Sequence, residues 1–199
     1  MQNIYMALPP ELERLLDDID DADRRGAAIA VSCNDEQFYW RPQDGNGWSI
    51  AQCLDHLGVM NVVYGTAIRD GIDVARRRGS RRREPAKPGY LGSKFVRSME
   101  PPVRRRLRAP RKGKPAPAKE RQAILEGYRA GHDLTRQLIA DAATIDANQA
   151  RFKNPFVPLL RFSIATGLFV IAAHDRRHLW QAEQVTRAPG FPAGNGVRR

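Results

Sequence analysis

The chain has 199 residues, a length that suits one domain with one core better than two small ones. A hydrophobic share of 42% is ordinary for a globular protein and excludes a disordered chain, whereas the formal net charge of +11 is not ordinary. Two cysteines, Cys33 and Cys53, make neither a disulfide scaffold nor a Cys-x-x-Cys zinc knuckle, and the longest apolar run, residues 162–173, falls well short of the roughly 20 residues that cross a bilayer.

In chain order, Pro9 and Pro10 lead into a first helix in which Leu12, Leu15, Leu16, Ile19 and Ala22 recur at helical spacing, ending near Val31. Between Ser32 and Trp48, the residues Asn34, Pro42, Asp44, Gly45, Asn46 and Gly47 predict a turn-rich loop. Ser49 followed by Gln52 fits a capping box, with Trp48 placed to pack on Cys53 as a staple. Ile50, Cys53, Leu54, Leu57, Val59, Met60, Val63 and Ile68 carry a second helix to about Arg78. Seven prolines across residues 79–117 then leave no room for a long helix. A third helix runs from about Ala118 to Ala142 on Ile124, Leu125, Tyr128, Leu134, Leu138 and Ile139, with His132 expected on its polar face. After a loop holding Asn154, Pro155 and Pro158, Ser163 caps a fourth helix through Ile164, Leu168, Ile171, His174, His178, Ala182 and Val185. It stops before Pro189, and the Gly- and Pro-containing tail 188–199 is expected to be loose.

Four helices without a strand pattern predict an all-α fold, a four-helix bundle formed by a single domain over residues 1–187. The second helix would be about 40 Å long at 1.5 Å per residue, and the connection after it is long enough to return along that length. The expected order is therefore up, down, down, up, which sets the second helix beside the fourth. The charge belongs to this crossover: residues 76–119 hold 17 Lys or Arg against Glu84 and Glu100, and the rest holds 16 basic against 20 acidic residues. A mildly acidic body speaks against a whole-domain nucleic-acid binder. With no apolar leader visible, a cytoplasmic protein with no membrane partner is expected.

Histidines number four. His174 and His178, four residues apart, share one helix face, on the same stripe as Ile164, Leu168 and Ile171. With His56 they form a set of neutral imidazoles suited to zinc, nickel or iron that leaves positions open. A buried, hydrogen-bonded histidine at a helix interface is the plain alternative for His56. Gln181, one turn beyond His178, is placed to orient a ligand through a hydrogen bond. Cys53 is expected in the core, and Trp48 and Trp180 as core or rim aromatics that could wall an apolar pocket. The segment His174-Asp175-Arg176-Arg177-His178 is similar to a zincin helix with Asp in place of Glu. A protease is not expected, because the base would be a methylene short and only 21 residues follow to supply a third ligand.

The stretches Trp48-Ser49-Ile50-Ala51-Gln52-Cys53-Leu54-Asp55-His56-Leu57 and Ala173-His174-Asp175-Arg176-Arg177-His178-Leu179-Trp180-Gln181 together resemble the DinB-like superfamily of metalloenzymes. Residues 154–160 also resemble the family's proline-containing approach to its last helix. The resemblance implies an up-down-down-up bundle binding a divalent ion, usually nickel or zinc, through residues matching His56, His174 and His178. It implies relatives that include S-transferases using bacillithiol, mycothiol or glutathione, and a maleylpyruvate isomerase. The basic crossover 76–119 departs from the family's compact connection.

The leading expectation is a metal-dependent enzyme acting on a small-molecule substrate through a low-molecular-weight thiol, its catalytic residues unassigned. Arg177 or Arg176 could pair with the carboxylates of the thiol cofactor, the plain alternative being that they point to solvent or bridge to Asp or Glu, and the bundle is expected to form a homodimer. The alternative makes the crossover a basic arm for nucleic acid or an acidic partner, with only Tyr90 and Phe95 available for stacking. A third reading gives the metal a purely structural role.

Overall fold

The computed structural model describes residues 8–42, 45–103, 119–157 and 159–193. Residues 104–118 of the basic crossover and 194–199 of the tail, on which two expectations fall, lie outside the described residues. The elements are α1 (Pro10–Ser32), α2 (Asp35–Tyr39), α3 (Ile50–Arg77), α4 (Tyr90–Met99), α5 (Arg121–Ala142), β1 (Arg151–Lys153), β2 (Arg161–Ser163) and α6 (Ile164–Thr186). The four long helices α1, α3, α5 and α6 are the four expected, with ends within three residues of expectation.

Three local features correct the reading of the sequence. The loop after α1 contains α2, a short helix closed by its own capping box: Asn34 accepts from the backbone N–H of Gln37, whose side chain accepts from that of Asn34. The crossover contains α4, which fits between Pro88 and Pro101 and lays Phe95, Val96 and Met99 on the core. Prolines at both ends bound a helix without breaking it. Finally, the all-α fold carries one small two-stranded sheet. β1 and β2 pair antiparallel, Phe152 opposite Phe162, and the buried Phe152 ring fills the space left by Gly71 and Gly167.

Contacts between α3 and α5 advance together along both helices. A Cβ on Gly58 would stand 2.8 Å from the carbonyl carbon of Gly127, and one on Gly65 would stand 2.8 Å from Leu134. Contacts between α3 and α6 run in opposite order, His56 meeting His174 and His178 while Gly71 meets Ile164. On α1, Asp18 pairs with Arg176 and Arg25 with Glu183, whereas Asp23 meets His132 and Gly26 meets Tyr128.

Two apolar clusters fill the interior. One gathers Leu12, Ile19, Ile68, Leu138, Ile164 and Leu168, and the other Phe38, Cys53, Leu57, Tyr128, Leu179 and Ala182. Between them every long helix contributes polar groups to a middle layer: Asp23, His56, Asn61, His132, His174, Asp175 and His178. Among the described residues, no helix is long and apolar enough to cross a membrane.

Candidate metal centre

The site is built where two well-capped helices cross. Ser49 accepts from the Gln52 N–H, and Gln52 Oε1 accepts from the Ser49 N–H, which fixes the first turn of α3 and so the direction of His56 two turns on. Ser163 caps α6 in the same manner, accepting from the Thr166 N–H. His174 and His178 then share the α6 face turned to α3.

The three imidazoles meet. His56 Nε2 lies 3.2 Å from His174 Nε2, and one ring nitrogen from each of His56, His174 and His178 falls in a set within 4.8 Å. Among the described residues this is the one such group of histidine, cysteine or acidic side chains. Burial, with the charges of the neighbouring histidines and Arg177 acting in the same direction, holds His174 well below the usual imidazole range. Burial does the same to His178, against a smaller opposing effect of Gln181. Both rings are therefore neutral near pH 7, the form that offers a lone pair to a metal.

A metal–nitrogen bond of about 2.0–2.1 Å sets two nitrogens on one ion roughly 2.9–3.4 Å apart, from octahedral to tetrahedral angles. The observed 3.2 Å falls inside that range. Gln181 Oε1 stands 3.1 Å from His178 Nδ1 and accepts its proton, which leaves Nε2 as the nitrogen with the free lone pair. The donor set thus fits a divalent ion in spacing, in the neutral state of His174 and His178, and in the tautomer of His178.

Trp48 closes one side. Its ring stacks on His178 at 5.5 Å and 21° and meets His56 edge-on at 4.8 Å, so it is a wall of the site. Arg177 is buried beside the histidines, with Nη1 directed to the Ser98 carbonyl at 3.5 Å. Arg176, by contrast, is taken up elsewhere: it holds both oxygens of Glu100 at 3.0 and 2.6 Å and Asp18 at 2.8 Å, pinning α4 and α1 to α6. It is therefore not the partner of a cofactor carboxylate. Cys53 lies in the apolar core with its thiol pushed up by burial, as expected.

Asp175 points away from the metal-binding face, accepting from Asn61 Nδ2 at 3.0 Å, so the likeness of this segment to a zincin helix ends at the spacing. His132 corrects the sequence reading outright. Expected on a polar face, it has no exposed surface and lies between Asp23 and Asp175. The signal was present, since Ile124, Tyr128 and His132 follow one another at four-residue steps on the buried stripe of α5.

No curated protein and no solved structure matches the chain. A family model described as the DinB superfamily matches residues 11–182, a span that contains all three histidines and most of the described structure. The chain belongs to the DinB superfamily.

Proposed function

We propose that this protein is a metal-dependent enzyme in which His56, His174 and His178 hold zinc or nickel, and that it transfers a low-molecular-weight thiol to a small electrophile. The observation that carries the reading is the approach of His56 Nε2 to His174 Nε2 at 3.2 Å, from helices 118 residues apart in sequence. A divalent ion there supplies a Lewis acid that lowers the pKa of a thiol or a water toward neutrality. Burial keeps the His174 and His178 imidazoles neutral, Gln181 fixes the His178 tautomer, and Trp48 excludes water on one side. In this reading Arg177, beside the ligands, recognises the carboxylates of the thiol cofactor.

The order of contacts supports an up, down, down, up arrangement of α1, α3, α5 and α6, which makes α3 and α6 neighbours. The ion pairs Arg76–Asp141, Arg82–Glu11 and Lys119–Asp55 favour the enzyme reading over a nucleic-acid arm, because they engage cations of the crossover with acids of the body. Metal analysis of the purified protein, set beside the His174→Ala variant, tests the site. Near-stoichiometric zinc or nickel lost in the variant is expected. S-conjugation of glutathione, bacillithiol or mycothiol to an electrophile should cease with a chelator, and activity indifferent to metal removal would overturn the proposal.

A further inference from the structure

The four long helices meet at a single buried ring. His132 of α5 directs Nδ1 to Asp23 Oδ1 of α1 at 3.2 Å and Nε2 to Asp175 Oδ2 of α6 at 3.4 Å. Asn61 of α3 donates to the other Asp175 oxygen, and Asp23 is held in turn by Arg136 at 2.7 Å. Tyr128 meets the His132 ring edge-on at 4.3 Å. A neutral imidazole would turn a lone pair toward one of the two carboxylates, so a ring set between them is best matched by the doubly protonated form. Among the described residues neither His132 Nε2 nor Asp175 Oδ2 has a hydrogen-bond partner, so each depends on the other for its polar environment.

Losing one member of such a node is costly, because the others stay buried and uncompensated, but replacing the whole node need not be. Buried ion pairs replaced by apolar residues of similar volume often leave stability unchanged or raised. What the node does fix is direction. Consecutive residues on an α-helix point about 100° apart, so a side chain held at position 175 sets the directions of 174 and 178, which lie within about 40° of each other. Beside the node α5 packs closely on α3: a Cβ on Gly131 would stand 3.0 Å from Asn61 Cβ and 3.2 Å from the Gly58 carbonyl oxygen.

We propose that His132 is a positioning residue for the candidate metal centre: by holding Asp175 in the four-helix junction it sets the rotation of α6 that aims His174 and His178 at His56. The inference rests on the proposed metal reading for its purpose, but its geometric content can be read without metal.

The test uses the full chain carrying His132→Leu, which removes both donors, and His132→Gln, which retains an amide donor. Crystal structures of the apo proteins read the separation of His56 Nε2 from His174 Nε2, and Co2+ titration followed by visible absorption reads the site. His132→Leu is expected to widen the 3.2 Å separation, to weaken Co2+ binding by about tenfold and to change its absorption bands. His132→Gln is expected to recover part of each effect. Should His132→Leu fail to fold, Asp23→Asn, at a partly exposed acid, is expected to move both readouts in the same direction and less far. A folded variant that keeps the wild-type separation would overturn the inference. A wild-type chain that ignores Co2+ while the variants still widen the separation would remove the metal reading and leave the positioning role standing.

Discussion

Raising the pH is expected to destabilise this protein through His132. Burial alone would lower the pKa of this ring, but Asp175 and Asp23 outweigh it and hold the imidazole at about 9, against 6.5 when unconstrained. A folded-state pKa above the unfolded one means that the stabilisation is complete below pH 6.5 and is lost as the pH rises toward 9. Between these values unfolding releases one proton, so the unfolding free energy falls by about 1.4 kcal/mol per pH unit, close to 3 kcal/mol over the window. That is a large share of the 5–15 kcal/mol typical of a domain. Urea denaturation at intervals from pH 6 to 9.5, followed by far-UV circular dichroism, gives the slope directly. Repeating it with His132→Gln isolates the contribution, since the variant should lose the alkaline decline, while the accompanying change at Asp23 falls far below this pH window. Equal slopes in the two proteins would refute the argument that His132 is the buried cation.

Other consequences follow from the close contacts. Gly58→Ala places a Cβ 2.8 Å from the Gly127 backbone, so α3 and α5 must separate, and a loss of about 1–3 kcal/mol is expected in the same urea assay; an unchanged midpoint would contradict it. Gln181→Leu removes the acceptor that orients His178 and should weaken zinc binding by about tenfold in a chelator competition, with the fold intact by circular dichroism. Arg176→Leu releases Glu100 and Asp18, so limited proteolysis within residues 90–103 should accelerate several-fold, and a cleavage rate equal to wild type would show that α4 is held by its apolar face alone.

The long helices and the histidine face of α6 were legible in the sequence because each rests on a periodic or local signal. Ser49 and Gln52 announce α3 three residues apart, and His174 and His178 mark their own shared face. That His56 joins them followed from the lengths of helix and crossover, a global argument that local patterns do not contain. What escaped had short or competing signals. The Asn34–Gln37 capping box has the same form as the Ser49–Gln52 box, yet only a five-residue helix follows it, among turn-forming residues. β1 and β2 have three residues each, too few for an alternation to stand out, and Phe152 owes its burial to the space beside Gly71 and Gly167, far away in sequence. α4 was hidden by counting prolines over the whole crossover, when the gap between Pro88 and Pro101 leaves room for three turns. The partners of His132 are 109 and 43 residues away, so no window along the chain could contain them.

The middle layer sets two opposite protonation states side by side, and burial cannot be what separates them. His132, His174 and His178 are all desolvated, which lowers the pKa of each. The difference lies in what faces the rings. His132 lies between the carboxylates of Asp23 and Asp175, whereas His174 and His178 face other histidines and the charge of Arg177. Asp175 marks the boundary, because its carboxylate turns toward His132 while the neighbouring His174 turns toward the metal-binding face. One helix thereby presents a charge-compensating group to one side and neutral nitrogen ligands to the other, one residue apart. The two populations also limit stability from opposite sides. His174 and His178 have folded-state pKa values below the unfolded one, so the stability of the apo protein falls as the pH drops below about 6.5, where the unfolded histidines take up protons that the folded ones refuse. His132 acts in the other direction above the same value. These three histidines together favour the apo fold most near pH 6.5, and a cation that occupied the lone pairs of His174 and His178 would extend only the acid side, leaving the alkaline effect of His132 where it is.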